Sequence, residues 1–299
     1  MTQLLEDIQA GSYKALARGI TIVENEIAGY EELLQSLPNN TTNNVVGITG
    51  PPGAGKSTLV SALLQFWTSQ NKKVAVIAVD PSSPFNYGAL LGDRIRMNEF
   101  YNNENVYIRS LASRGALGGL SKKIIEITDV VRQGMFDIIL VETVGVGQSE
   151  VEIAGLADCT IVTLVPEAGD EIQTLKAGIM EIADIFIINK ADRDAADALY
   201  ANLRIMAHER ANGDKDTPVL KTIATKKDGI EEAATAIESH LNNSERATTK
   251  RVQLLTEKCW HLIQSARMKD IDKQGLKQEI SNTLDQQGFN IYLLAKKFS

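Results

Sequence analysis

The chain has 299 residues, 43% of them hydrophobic, which is enough to bury one large core with smaller helical additions. Its formal net charge of -7 argues against the broad positive surface of a nucleic-acid-binding protein. It has no apolar run of the roughly 18 residues that a membrane-spanning helix needs, and the start MTQLLEDIQ has no apolar signal core. We therefore expect a cytoplasmic protein that binds neither nucleic acid nor membranes.

The cysteines and histidines are scattered along the chain without a CxxC or Cys/His motif. Cys159 and Cys259 each lie within an apolar pattern, so we expect two reduced thiols in the core or on a helix face. The histidines follow no metal-ligand spacing either. The sequence therefore predicts no dedicated transition-metal site.

Residues 1–42 are predicted to form an N-terminal helical extension. Apolar residues recur there at helical spacing, in segments such as YKALARGITIVENEIAGYEELLQSL. Pro38 and the Asn and Thr residues behind it then interrupt the pattern. This interruption places the start of the next domain near residue 43.

Residues 43–241 are predicted to form the principal domain, because short apolar runs rich in β-branched residues alternate there with segments of helical periodicity. Strands that alternate with helices run parallel, and nearly continuous apolar strands suit a sheet covered on both faces. The fold class is therefore α/β, with a doubly wound, mostly parallel sheet. The predicted strands are residues 45–49, 74–80, 106–111, 137–143, 159–165, 185–190 and 218–224.

The stretch GPPGAGKST, residues 50–58, matches the phosphate-binding pattern G-x4-G-K-[ST] in the place it requires, after a strand and before a helix. Successive backbone N–H groups must approach the phosphate oxygens, and only residues without bulky side chains let the chain curl that closely. Lys56 is expected to reach the β- and γ-phosphates, and the Ser57 hydroxyl to ligate Mg2+. The predicted nucleotide-binding residues of this loop are Gly50, Gly53, Ala54, Gly55, Lys56, Ser57 and Thr58.

The segment Asn189-Lys190-Ala191-Asp192 ends a predicted strand and has the NKxD pattern, which favours guanine over adenine. Guanine presents N1–H and N2–H2 as adjacent donors that one carboxylate, Asp192, can accept, whereas adenine would leave that charge facing a lone pair. Asn189 is expected to connect to the phosphate-binding loop and contact the guanine edge, Lys190 to cover the ring face, and Ala224 N–H to reach guanine O6. The alternative, that Asn189 and Asp192 only cap the helix near residue 195, stays open. The pattern favours GTP and GDP as ligands.

Carboxylates at strand ends are candidate ligands for Mg2+. Glu142 ends a predicted strand and leads into a glycine-rich turn, where Gly145 N–H is expected to contact the γ-phosphate and Gln148 to orient water. Asp80 ends another strand, and Asp93 follows it beside two arginines. Helix capping by the aspartates and ordinary turn roles for Gln148 are the alternatives, and the carboxylate that ligates Mg2+ directly is not decided. The candidate metal ligands are Ser57, Asp80, Asp93 and Glu142.

Residues 242–299 are predicted to form a C-terminal helical arm. In KRVQLLTEKCWHLIQSARM one stripe of a helix would carry Val252, Leu255, Cys259, Leu262 and Ile263. Such a stripe needs a partner surface, supplied by a second copy of the chain or by a fold back onto the same copy. The residues alone do not decide between the two.

Several motifs in this order resemble those of one known family. The segments IAVDPSSPF, ALLGDRIRM, RSLASRGALGGLS, ETVGVGQSEVEIA, GDEIQTLKAGIMEIAD and NKAD, behind the phosphate-binding loop, are similar to the MeaB/ArgK family of P-loop GTPases. These are the methylmalonyl-CoA-mutase-associated G proteins, and the resemblance covers nearly the whole chain. It implies a P-loop NTPase fold with a SIMIBI-like G domain.

The resemblance also implies a function. Members of this family are homodimers through their C-terminal arms, hydrolyse GTP slowly alone, and act as chaperones that protect adenosylcobalamin-dependent acyl-CoA mutases and gate their cofactor loading. Residues 166–176 would then be an additional switch that faces the partner. Carried over to this chain, the catalytic residues are Lys56, Asp80, Asp93, Glu142 and Gln148, and the residues that read guanine are Asn189 and Asp192.

The resemblance also implies an alternative function. Relatives of the ArgK type have been described as kinases of lysine, arginine and ornithine transport systems. One sequence does not show whether water or a protein side chain accepts the phosphoryl group, so the kinase is the alternative to the GTPase chaperone.

Overall fold

The computed structural model describes residues 1–38, 43–80, 97–112, 123–143, 153–168, 181–211, 217–242, 244–268, 272–283 and 290–297. The chain divides into two compact units, Met1–Leu254 and Leu255–Ser299. Among the described residues, no helix has both the length and the apolar character needed to cross a membrane.

The first unit is built on one seven-stranded sheet, in the order β3-β2-β4-β1-β5-β6-β7. Every pairing between neighbouring strands is parallel, which confirms the predicted α/β class and doubly wound sheet. The strands β4, β5 and β6 are buried along their whole length, as their continuous apolar sequences require. The strands are β1 Asn44–Thr49, β2 Val74–Asp80, β3 Val106–Ala112, β4 Ile138–Glu142, β5 Cys159–Leu164, β6 Ile185–Asn189 and β7 Val219–Thr222.

The helices cover both faces of this sheet. Leu59, Leu63 and Trp67 of the helix that follows β1 share a buried cluster with Ile230 and Ile237, which come from the helix that follows β7. The helices are α1 Thr2–Gln9, α2 Tyr13–Glu24, α3 Tyr30–Gln35, α4 Lys56–Ser69, α5 Ile124–Val131, α6 Ala196–Ala211, α7 Ile230–Leu241, α8 Ser244–Arg267, α9 Lys273–Thr283 and α10 Ile291–Lys297.

The N-terminal helices share a core with the sheet. Leu16 and Ile20 of α2 belong to the same buried cluster as Ile77 of β2, Ile139 of β4 and Val130 of α5. Residues 1–38 therefore belong to the first compact unit, although their sequence pattern sets them apart from the domain of residues 43–241. At the other end, the division between the units falls inside α8, after Leu254, whereas the sequence pattern places a boundary at 241/242.

The order of the strands places the phosphate-binding loop at a reversal of the chain. From β1 the chain builds β2 and β3 on one side, returns to β4, and then builds β5, β6 and β7 on the other side. In open α/β sheets ligands bind outside the carboxyl ends of the strands at such a reversal. The loop of residues 50–55 follows the carboxyl end of β1, in the middle of the sheet.

Candidate nucleotide-binding site

Two glycines let the loop after β1 lie directly against residues of β5 and β6. Gly50 has φ 140, and a Cβ there would lie 2.0 Å from the carbonyl oxygen of Thr163 in β5. Gly55 has φ 82, and a Cβ there would lie 2.4 Å from Nδ2 of Asn189. Gly53 has φ 78 but no atom within 4 Å, so its backbone conformation alone favours glycine. The loop thus has the tight glycine-lined curvature that a phosphate cradle needs.

Helix α4 begins at Lys56, immediately behind this loop, and its first turn contributes Ser57 and the half-buried Thr58. The N–H groups at the start of a helix have no acceptors within the helix, and they bind anions together with the helix dipole. Lys56 is only 6% exposed, and its Nζ donates to the carbonyl oxygens of Gly50 at 2.8 Å and Pro51 at 3.1 Å. The ammonium group is therefore held over the loop by two backbone acceptors.

The Ser57 hydroxyl and the Glu142 carboxylate meet beside the loop. Ser57 Oγ donates to Glu142 Oε1 at 2.6 Å, and the two residues are 8% and 6% exposed. Glu142 ends β4, and Ile48 of β1 lies opposite it in the sheet register. Because hydroxyl and carboxylate oxygens are the ligands that Mg2+ prefers, this buried pair fits the predicted metal site.

Behind this pair a second contact joins the same two strand ends. Thr143 N–H donates to the carbonyl oxygen of Ile48 at 3.1 Å, and its hydroxyl donates to Thr49 Oγ1 at 3.0 Å. Thr49 and Thr143 are 0% and 1% exposed. These bonds fix the end of β4 against the end of β1, and therefore fix Glu142 relative to the loop.

The Asn189 side chain connects three segments beside the NKxD loop. Its Nδ2 donates to the carbonyl oxygen of Ala54 at 2.9 Å, while its Oδ1 accepts from Thr222 Oγ1 and from Ala224 N–H, both at 3.2 Å. Asn189 is 2% exposed, so these bonds form away from water. The Ala224 N–H thus donates to the Asn189 amide in this structure, and its predicted bond to guanine O6 stays a prediction.

The residues around Asp192 are exposed and charged. Lys190 has φ 57, and its Nζ donates to the carbonyl oxygen of Gly53 at 2.7 Å, so the lysine spans from β6 to the phosphate loop. Asp192 Oδ2 lies 3.1 Å from Lys226 Nζ, with the two side chains 41% and 64% exposed. The hydrogen bond from Lys226, helped by the charge of Arg193, lowers the pKa of the Asp192 carboxyl from its ordinary value.

Of the remaining predicted site residues, the structure describes only the backbone of Asp80. Asp80 is the last residue of β2, the strand beside β4, and Ala78 two residues earlier pairs with Glu142. The backbone of Asp80 therefore ends at the same edge of the sheet as Glu142. Asp93, Gly145 and Gln148 lie outside the described residues, and so do residues 169–176 of the predicted additional switch. Their roles stay predictions.

Four residues of this site were not predicted from the sequence. Thr143 and Thr49 bind each other through their hydroxyl groups, Thr222 donates to Asn189, and Lys226 pairs with Asp192. Thr143 follows Glu142 directly, and Thr222 ends the last strand, so their positions at strand ends could have indicated them. Lys226 has no such signal, because an exposed lysine in a loop is common in any sequence.

A glycine cradle, a buried Ser/Glu pair and an NKxD loop at one edge of a parallel sheet define a P-loop nucleotide-binding protein. The family model described as methylmalonyl Co-A mutase-associated GTPase MeaB matches residues 16–275. The chain belongs to this family, and it is a P-loop GTPase that takes a guanine nucleotide.

Individual relatives agree with this assignment. A relative from Pyrococcus abyssi, which carries a GTPase name, is 41% identical over 304 residues, covering 98% of this chain and 94% of that protein. The methylmalonic aciduria type A homolog, mitochondrial, of Mus musculus is 39% identical over 207 residues, covering 64% of this chain and 50% of that protein. A crystal structure of an LAO/AO transport system kinase has a TM-score of 0.72 at 27% identity, covering 99% of this chain and 95% of that one.

Proposed function

We propose that this GTPase acts as a chaperone of an adenosylcobalamin-dependent acyl-CoA mutase, gating the loading of its cofactor and protecting the loaded enzyme. The support is the family description, which names methylmalonyl-CoA mutase, and the mouse relative, whose name refers to methylmalonic aciduria. The observation that carries the GTPase chemistry is the buried hydrogen bond between Ser57 and Glu142 beside the glycine cradle.

The phosphate end would bind the triphosphate through groups that the structure already orients. Lys56 Nζ would donate to phosphate oxygens in place of the carbonyl oxygens of Gly50 and Pro51. Ser57 and Glu142 would hold Mg2+, with Asp80 and Asp93 as further members of its shell. When bound, the ion neutralises charge on the phosphoryl oxygens. The chain's own part is to hold these oxygen ligands at fixed positions, out of water.

The base end would select guanine. The Asp192 carboxylate would accept N1–H and N2–H2, and the Lys190 stem, anchored at Gly53, would cover the ring. Asn189 would contact the guanine edge from its fixed position between the two loops. Lys226 is close enough to keep Asp192 ionised and oriented while the base is bound.

We propose that water is the phosphoryl acceptor. Gln148 would orient the water and Gly145 N–H would contact the γ-phosphate, so that hydrolysis releases this segment and the one at 169–176. The similar structure described as a transport system kinase makes a protein acceptor the competing proposal. The two differ in where the γ-phosphate goes.

The C-terminal arm is proposed to form a homodimer. In the second compact unit α8 exposes three large apolar side chains of the predicted stripe: Leu255 is 51%, Leu262 38% and Ile263 42% exposed. A second copy of the chain could cover this stripe. A cytoplasmic location is proposed with it, since both this protein and its mutase would act there.

Two measurements test the proposal. Purified protein with γ-labelled GTP and Mg2+ should release all label as inorganic phosphate, and label retained on this chain or on an added protein would favour the kinase. In the second measurement, this protein with GTP should protect the mutase from inactivation during turnover. The Glu142→Gln variant should give less protection, because its hydrolysis should fall by about 10–100-fold. Equal protection by the variant and the wild type would contradict a GTP-driven chaperone.

A further inference from the structure

Three potential metal ligands that are far apart in sequence meet at the edge of the sheet opposite the nucleotide. Cys159 begins β5, Asp184 directly precedes β6, and His240 lies in the last turn of α7. Their ligand atoms all lie within 4.8 Å of one another, with His240 Nε2 3.5 Å from Asp184 Oδ1. The sequence predicted no transition-metal site, because none of these residues is close to another along the chain.

The donor set suits zinc. Thiolate sulfur, imidazole nitrogen and carboxylate oxygen are its protein ligands, at about 2.0–2.3 Å, which places tetrahedral ligand atoms about 3.3–3.8 Å apart. The His240 and Asp184 atoms are already at such a distance, and the rest of the cluster needs to contract by about 1 Å. Thiolate and imidazole donors favour zinc over Mg2+, whereas the Ser57 and Glu142 oxygens at the other edge favour Mg2+.

The surroundings fix one ligand and leave access from solvent. Asp184 Oδ2 accepts the Thr160 N–H at 2.8 Å, and the Asp184 N–H donates to the Thr160 carbonyl oxygen at 2.9 Å. Such outer bonds orient a ligating carboxylate. Cys159 is fully buried, while the Asp184 and His240 side chains are 18% and 15% exposed. An ion can therefore reach the cluster from the surface, and the Cys159 sulfur lies at the buried end of the cluster.

We propose that Cys159, Asp184 and His240 bind one zinc ion, with water as the fourth ligand. On binding, the Cys159 thiol loses its proton to solvent and the imidazole binds as the neutral form. The ion ties together the amino ends of β5 and β6 and the carboxyl end of α7. The site is separate from the Mg2+ site and independent of the mutase proposal.

Cobalt and zinc binding test this site in the full chain. The background is Cys259→Ser, which removes the exposed second cysteine, so that any thiolate ligand must be Cys159. After chelator treatment, the protein is titrated with Co2+ in excess Mg2+, which occupies oxygen sites. With Co2+ we expect a sulfur-to-cobalt charge-transfer absorption. With Zn2+ in place of Co2+, we expect one zinc ion to bind per chain and the Tm to rise.

Variants then locate the ligands. Adding Cys159→Ala should remove the charge-transfer band, and adding His240→Gln should weaken zinc binding more than about 100-fold. The matched control is His208→Gln, at an exposed histidine of α6, which should change neither result. Cys159→Ala leaves a small cavity and could prevent folding. In that case the result from His240→Gln, at a partly exposed position, is the one that tests the site. Zinc affinity unchanged in His240→Gln, or absence of the cobalt band in the background protein, would overturn the site.

Discussion

The two ends of the nucleotide site are built differently. At the phosphate end Lys56, Ser57 and Glu142 are at most 8% exposed, and each is held by a buried partner. At the base end Asp192 and Lys226 form an ion pair with side chains 41% and 64% exposed. Buried polar groups hold their positions without water and act strongly on charge, whereas exposed pairs are screened. We therefore expect the phosphate end to supply most of the binding strength, and the base end to supply selection.

The largest expected effect is at the buried lysine. Lys56→Ala removes the ammonium group that would donate to phosphate oxygens, and two charge-assisted hydrogen bonds correspond to about 100-fold or more in affinity. Titration calorimetry with a slowly hydrolysed GTP analogue measures this. The matched control is Lys72→Ala, whose lysine pairs with Glu238 away from the site. Binding of the analogue by Lys56→Ala with wild-type affinity would contradict the assigned phosphate end.

A glycine series tests whether the cradle owes its shape to close contact or to backbone conformation. Gly50→Ala places a Cβ against the backbone of β5 at unfavourable φ, and should lower the free energy of unfolding by at least about 3 kcal/mol. Gly53→Ala meets no neighbouring atom and should cost only about 1–2 kcal/mol through its φ.

Urea unfolding measures the free energy of unfolding of Gly50→Ala and Gly53→Ala for this comparison. Gly155→Ala is the control, since its Cβ also meets no atom within 4 Å and the residue has no positive φ. Equal losses for Gly50→Ala and Gly53→Ala would show that contact with β5 contributes little.

At the base end, Asp192→Asn should change selection rather than the overall ability to bind. The amide donates where the carboxylate accepted, so affinity for GTP should fall by at least about tenfold and affinity for xanthosine triphosphate should rise. Competition between the two nucleotides measures the ratio. Asp197→Asn is the matched control, because Asp197 is an exposed aspartate that also pairs with a lysine, Lys221. An unchanged ratio in Asp192→Asn would refute the base assignment.

The smallest effect concerns the pH dependence at Asp192. Its pKa is lowered chiefly by the hydrogen bond from Lys226, so the ionised form persists below the ordinary value of 3.8 and is lost as the pH falls through the lowered pKa. Lys226→Ala should raise the pKa towards the ordinary value, and Asp192 should then protonate at a higher pH.

Carboxyl NMR titration of Asp192 measures this shift. The control is Lys221→Ala, which should move the pKa of Asp197 upwards in the same way and leave that of Asp192 alone. An Asp192 titration that is the same with and without Lys226 would remove the role proposed for this lysine. Since the pair is exposed, only a small change in GTP affinity should accompany the shift.

The sequence alone predicted the parts of the site that are local. Residues 50–58 form one continuous motif, and the strand pattern placed Glu142 and Asn189 at strand ends, where parallel strands bring residues to one edge. The α/β sheet was predicted for the same reason, because a buried strand reads as a continuous apolar run.

Only the tertiary structure decided contacts between distant segments. Asn189 accepts from the Ala224 N–H, and Lys226 pairs with Asp192, although no spacing in the sequence indicates these partners. The same holds for α2, whose apolar face packs into the sheet cluster rather than forming a separate domain.

The physical reason lies in the range of the forces. Hydrophobic periodicity, glycine conformation and helix starts depend on neighbours along the chain, so the sequence of this protein determined its strands, its phosphate loop and its GTPase class. Hydrogen bonds and metal ligation depend on distance in space. The assembled sheet brings together residues that are distant in sequence. Examples are the cluster of Cys159, Asp184 and His240 and the hydrogen bond from Ser57 to Glu142.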